Sequence, residues 1–428
     1  MQPSGRLHWS GKNPRTISFV GLSSITFACM TVAAVLVAPL GGVGWQTLAE
    51  DDFVVEDTGP VTSDQTNQIE SLTPGRAKWL AEEFVPGTPL EVEVRPATFV
   101  TDPQCLMLNG LKSLDADTAV ALAEGWKGGI MLGGLTSLDT DVARALTKQE
   151  ARPLYFFGLT SLDAPTAKVL AEARGWDGTL SRLTRLEAPV AAELAAFKGQ
   201  ELYLDGLTEV SPEAADCLAR FKGGRLSLDG LKTLSADAAA ALAASKAWTG
   251  LLPNLEALDA ATAAVLVAFQ GTKSTPAVIV LSRLKEIDGE TARALAAPKG
   301  HFFHVSGLTS LSAEAATALA GSDAWRFGSL PGITALDSPD AIAVAKALAT
   351  RKGPLSLPNL KKISPKTLTA LIQKEDVRLP LIETLEIIPE TDGTPADDVV
   401  IPEGFERQQR KDLRRQQEQE SLPQEQAE

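Results

Sequence analysis

Asp205 and Asp229 stand 24 residues apart, at equivalent places in two successive copies of a repeated phrase. If the strands of successive copies pair, their backbones lie ~4.8 Å apart and the two carboxylates face each other across a ladder. Such a pair can hold a hard cation, serve a retaining glycosidase, or remain solvated charge, and mutual repulsion raises the pKa of one member. A flat strand surface offers no pocket to desolvate an acid, so the sequence favours surface charge over catalysis. Tyr155 and Tyr203 are the only tyrosines of the chain and fall in one column of the repeat. Tyrosine combines an apolar ring with a hydrogen-bonding tip and is enriched at binding surfaces. With Met107, Met131 and Phe157 the two tyrosines are expected to form a contact patch. His304 occupies the tyrosine column further along, while His301 does not.

No familiar catalytic signature accompanies these residues. HExxH, GxSxG, the phosphate-binding GxxxxGK[ST] and paired Cys-x-x-Cys are all absent from the sequence. Three cysteines, Cys29, Cys105 and Cys217, cannot build a disulfide framework, and three histidines cannot build most zinc sites. No catalytic, cofactor-binding or metal residue is therefore assigned, and the expectation is a protein that is not an enzyme and needs no cofactor. The charge of −14 on 428 residues argues against nucleic acid as a partner.

The elements that position these side chains recur with a fixed period. Gly-Leu-Thr-x-Leu or a relative places its first Leu or Ile at 111, 135, 159, 183, 207, 231, 255, 284, 308, 333, 360 and 382. In the copy at 201–224 the alternation of Leu202 and Leu204 around Tyr203 reads as a strand. Ser211 then stands at a helix N-cap, Pro212 at the first helical position, and Ala215, Leu218 and Ala219 on one helix face. The cap column continues as Asp115, Asp139, Asp163, Glu187, Ser235, Asp259, Asp288, Ser312, Asp337 and Ser364, and the residue four further on is Ala in almost every copy. Each copy is thus strand, turn, capped helix and Gly-rich turn, and strands joined in this way pair in parallel with right-handed crossovers. Residues two and four before the marker Leu point away from the helices, which places Met107, Met131, Tyr155, Phe157, Tyr203, Asp205, Asp229 and His304 on one exposed strand surface. Trp126, Trp176, Trp248 and Trp325 lie near helix ends and read as plugs between turns.

Leu-x-Leu-x-Gly-Leu-Thr followed by a short helix resembles the leucine-rich repeat family, whose units run 20–29 residues with a strand lining a horseshoe. The resemblance covers about residues 103–388 and implies an α/β solenoid with a parallel sheet on its concave side, helices outside, and recognition of a protein or polysaccharide on the concave face. Gly110, Gly134, Gly158, Gly206, Gly230 and Gly307 occupy the turn where that family often places asparagines.

The flanks are organised differently. Residues 1–16 carry Arg6, Lys12 and Arg15, and 17–44 are apolar enough to span a bilayer, either as a retained signal anchor or as a cleaved signal peptide ending near Thr47-Leu48-Ala49. The charge bias puts everything after residue 50 outside the cytoplasm, either held at the membrane or released as a periplasmic or secreted protein. Residues 45–70 read as an acidic linker, 71–102 as an N-terminal cap that includes the helical phrase LTPGRAKWLAEEF and the strand LEVEV, and 389–428 as a disordered charged tail with helical character near 404–418. The functional expectation is an exported, membrane-anchored repeat protein that binds a macromolecule noncatalytically. An envelope spacer or self-associating scaffold is the alternative, and a glycosidase or cation-dependent enzyme a distant third.

Overall fold

The computed structural model describes residues 61, 63–85, 91–94, 97–100, 105–149, 152–269, 271, 278–297, 302–390 and 399–420, all within one compact unit, Thr58–Glu428. The apolar stretch 17–44 lies outside the described residues. Among the described residues no helix is long and apolar enough to cross a membrane.

Most repeats place a two- or three-residue strand before a helix of seven to ten residues. Leu106–Met107, Ile130–Met131 and Leu154–Tyr155 pair in parallel, as do Glu201–Tyr203 with Arg225–Ser227, Val278–Val280 with Phe302–His304, and Leu355–Ser356 with Val377–Arg378. Single parallel bridges join these pieces: Leu154 to Trp176, Thr179 to Tyr203, Leu226 to Trp248, Leu251 to Val280 and Ser329 to Ser356. Three repeats contribute only such bridges, and each is entered through a glycine with positive φ, Gly178 (81°), Gly250 (72°) or Gly328 (56°). A left-handed residue at the strand's start takes the chain out of the extended region, so the strand cannot lengthen backwards there. Each of these glycines follows a fully buried tryptophan, Trp176, Trp248 or Trp325, by two or three residues. The tryptophans fill the space between turns, as the sequence expects, and Trp248 and Phe269 pack with ring centroids 5.0 Å apart.

Helices stack beside the strands in the same order, each against its predecessor and successor. Asp115, Asp163, Asp259 and Asp288 accept the N–H three residues on at 2.7–2.8 Å, and Ser211, Ser235 and Ser312 do so at 3.1–3.3 Å. Asp139, Glu187 and Ser364 stand at the cap without that bond. Asp337 does not cap: its repeat is longer, and the helix Ala341–Ala349 starts after Asp340. The alanine column lies at zero exposure through Ala119, Ala143, Ala167, Ala191, Ala215, Ala239, Ala263, Ala292 and Ala316, which lets each helix seat closely on the turn beneath it. The turn glycines serve a related need. A Cβ on Gly230 would stand 1.8 Å from the Asp205 carbonyl oxygen, and one on Gly134 2.2 Å from that of Asn109.

Two features were not anticipated. Ala335–Leu336, Lys362–Ile363 and Glu386–Ile387 form a second, three-stranded parallel ladder beyond the marker Leu of the last repeats. The C-terminal tail, expected to be disordered with helical character near 404–418, forms a helix, Glu403–Glu420, and its docking on the last repeat was not foreseen. Phe405 is buried there, and the Gln408 and Gln409 amides donate to the Val377 and Pro380 carbonyls at 3.2 and 3.3 Å. That helix covers open strand carbonyls that would otherwise be an exposed sheet edge. At the other end Pro74–Glu83, capped by Thr73, packs against the first repeat helix, and Glu91–Val94 pairs antiparallel with Ala97–Val100.

Candidate functional site on the strand face

The candidate residues separate into three groups. Met107, Met131 and Phe157 are buried, at 4%, 1% and 7% exposure, in a small cluster with Cys105 against which the half-buried Tyr155 packs. The Tyr155 and Phe157 rings lie 5.7 Å apart. The expected exposed patch is therefore an internal apolar cluster, because large unbranched and aromatic side chains on strands one ladder step apart cover one another. His304 sits three repeats beyond Asp229 and stacks on Phe327 at 4.8 Å, the Phe327 ring being 59% exposed. Burial lowers the His304 pKa.

Tyr203, Asp205 and Asp229 do come together, on two strands that pair Tyr203 with Ser227. Leu202, Leu204, Leu226 and Leu228 anchor these strands in the core at zero exposure, so the alternate residues must face away from the helices. Asp205 Oδ1 accepts the Asp229 N–H at 2.9 Å. The same device appears earlier, where Asn109 Oδ1 accepts the Gly133 N–H at 2.8 Å. The next position after Asp229 in this column is Pro253, which has no N–H to offer, so the Asp229 carboxyl ends the series without a backbone donor from the following repeat.

Ser227, at zero exposure, lies between the acids: its Oγ is 2.6 Å from Asp205 Oδ1 and 3.0 Å from Asp229 Oδ1. One hydroxyl carries one proton and cannot serve both oxygens fully. Desolvation, reinforced by the Asp205 charge, pushes the Asp229 pKa up to about 6. A neutral Asp229 can donate to Ser227, which in turn donates to Asp205, and every proton then has an acceptor. Tyr203 donates to Glu201 Oε2 at 2.6 Å, and Arg225 lies 5.5 Å from its ring centroid. Desolvation, followed by that bond to Glu201, raises the phenol to about 12. One repeat earlier, desolvation lifts Asp177 to about 7. Hydrogen bonds from the Thr179 hydroxyl and N–H oppose that rise, and the Ser181 Oγ and Asp205 Oδ2 atoms are buried without a hydrogen-bond partner.

Sequence reasoning placed Ser227, Thr179 and Ser181 in the outward columns but did not single them out. The signal was their position beside Asp205, since a small hydroxyl between two larger neighbours is where a buried bridge forms. Arg225 and Glu201, at the strand starts, were missed altogether. Among the described residues no three acidic, histidine or cysteine side chains gather as a metal-ion group.

No family model matches this chain. No curated protein matches it either. Among solved structures, one described as the crystal structure of the Rad7 and Elc1 complex in yeast is 15% identical, covering 68% of this chain and 81% of that one, at a TM-score of 0.24. A likeness that weak carries no argument about this chain's fold or partners.

Proposed function

We propose that this chain is a leucine-rich-repeat-like solenoid that binds another macromolecule through its strand face, without catalysis, at a surface centred on Tyr203, Asp205 and Asp229. The supporting observation is the set of polar groups on that face held in place by the repeat, with Asp205 Oδ2 and Ser181 Oγ lacking internal partners. Buried polar atoms without partners are costly in a free protein, and a functional role is one of the few reasons a fold retains them. The backbone beneath them is pinned by the parallel ladder, so binding would lose little conformational freedom. Tyr203 supplies the aromatic anchor, and Arg225 and the two aspartates the polar rim. The horseshoe shape and an exported, membrane-held location belong to this proposal. So does the absence of catalysis, because the acid pair is tied up internally, sharing the Ser227 hydroxyl, with Asp205 also accepting the Asp229 N–H.

The test is titration calorimetry with an isolated partner. Tyr203→Ala combined with Asp205→Ala is expected to weaken binding at least tenfold, while a change at the exposed helix position Ala240 leaves it intact. Undiminished binding by the double variant would refute the surface. Measurable hydrolytic turnover abolished by Asp205→Asn would refute the noncatalytic reading.

A further inference from the structure

We infer that copies of this chain associate side by side, the edge where helices return to strands in one copy lying against the edge where helices begin in the next. The two edges carry opposite charge. Arg174, Lys198, Lys222 and Lys246 recur at 24-residue intervals on the return turns, all exposed, and the turns 173–176, 196–200, 220–224 and 244–248 hold no acid. The helices of the same four repeats begin with Asp163, Glu187, Glu213 and Asp237, also exposed, and their first turns hold no lysine or arginine. Each helix separates its start from its return by about 10–14 Å, so the two files run along opposite edges of the stack. Lys198, Lys222, Lys246, Glu187, Glu213 and Asp237 make no ion pair among the described residues. The open cavities of the two edges divide in the same way. On the return edge, one of about 560 Å³ is lined by Lys198, Arg220 and Lys222 and by no carboxylate. On the starting edge, one of about 510 Å³ is lined by Glu209, Asp259 and Asp288 and by no cation. Hydrogen bonds from the Thr262 and Thr291 N–H groups hold the Asp259 and Asp288 carboxyls below the usual range, so both stay ionised at neutral pH.

Helix dipoles account for the acids but not for the bases. The dipole effect falls off within the last turn, and the helices end at Leu194, Leu218 and Ala243, three or four residues before Lys198, Lys222 and Lys246. A second copy is the partner whose charges match by construction. Its acidic file advances one charge per repeat of the same stack that carries the basic file, so the two stay in step whatever distance separates successive turns. An unrelated polyanion would meet that condition only by coincidence. Because the edges differ, the contact is heterologous: every copy added leaves one basic and one acidic edge free, and the series stays open. Exposed ion pairs contribute little singly, so several must form together. The net charge of −14 repels copies at a distance, but salt at about 0.1 M screens that repulsion beyond about 10 Å and leaves the contact pairs to decide. The strand face takes no part in this contact.

The test is sedimentation velocity of the full chain in a nonionic detergent, which leaves charge unscreened. Expected is a weight-average mass that rises with protein concentration through dimer, trimer and larger species at about 0.1 M salt and returns to the monomer at about 1 M. Lys198→Gln, Lys222→Gln and Lys246→Gln together neutralise the basic edge, and Glu187→Gln, Glu213→Gln and Asp237→Asn together neutralise the acidic one. Each triple variant should associate at least tenfold more weakly than the parent, with circular dichroism unchanged. An equimolar mixture of the two should form a 1:1 dimer that grows no further, since each brings one intact edge. Should either triple variant misfold, the single changes Lys222→Gln and Glu213→Gln are expected to weaken association in the same direction. Tyr203→Ala with Asp205→Ala should associate as the parent does. A parent that stays monomeric at every concentration, a folded edge variant that associates as strongly as the parent, or a mixture that fails to combine would each overturn the inference. Loss of association in the Tyr203 and Asp205 variant would do so too, by moving the contact to the strand face.

Discussion

The Asp205, Ser227 and Asp229 arrangement ties the strand face to pH. Asp229 has a folded pKa raised to about 6 by desolvation and by its acidic neighbour, above the unfolded value near 3.9. A carboxyl shifted this way contributes its stabilisation fully below the unfolded pKa and loses it as pH rises through about 6. Asp229→Asn, permanently neutral, is therefore expected to melt higher than the parent at pH 8, with the gain fading towards pH 4. Melting curves at the two pH values check this, and a gain that grew on acidification would contradict the shift. At Gly230 the constraint is steric instead. Gly230→Ala drives a Cβ into the Asp205 carbonyl at 1.8 Å, so the two strands must part, and a loss of at least about 2 kcal/mol in urea unfolding is expected. The position of Asp205 and Asp229 in one column was legible from the 24-residue spacing alone. The bridging role of Ser227 was not, because it depends on how deeply a small side chain sinks between larger neighbours, which spacing does not encode.

At the scale of the element, strand, turn and capped helix were readable because each has its own chemical mark: alternation of leucines, glycine at the close approach, Ser or Asp at the cap. Ser235→Ala removes the acceptor for the Ala238 N–H and is expected to cost about 1 kcal/mol, measurable as a shift in urea midpoint without a change in slope. Gly250→Ala places a non-glycine residue at φ 72°, expected to cost about 1–2 kcal/mol from the backbone alone. Equal stability of that variant would mean that the left-handed turn is not required. The repeats entered through Gly178, Gly250 and Gly328 look like their neighbours in leucine pattern, and their tryptophans were read as plugs while these glycines were not singled out. Only the shared backbone geometry shows them to be one device that shortens the strand. The burial of Met107, Met131 and Phe157 was hidden for a similar reason, since an outward column says which way a side chain starts and not what its neighbours do.

Across the whole molecule, each repeat touches the ones before and after it, so stability is a sum over neighbouring interfaces. Excision of residues 201–224 removes one complete unit and leaves the ladder in register, and the shortened chain is expected to fold with unchanged helicity per residue. Removal of twelve residues from the same place should abolish the cooperative transition, because a half-unit puts strand against helix. Capping was half legible: LTPGRAKWLAEEF read as the N-terminal cover, whereas the low-complexity composition of 403–420 concealed that Phe405 and two glutamine amides suffice to dock a helix over the last strand. Deleting 403–428 is expected to expose the Val377 edge and promote self-association, visible in sedimentation velocity. The central claim is recognition through the strand face around Tyr203. Its most direct test is photo-crosslinking, with a benzophenone amino acid at position 203 or, as the opposite face, at position 240, in the presence of a purified partner. The account predicts a single adduct from position 203, competed away by unlabelled protein, and none from position 240. Adduct formation from position 240 with none from position 203 would contradict it.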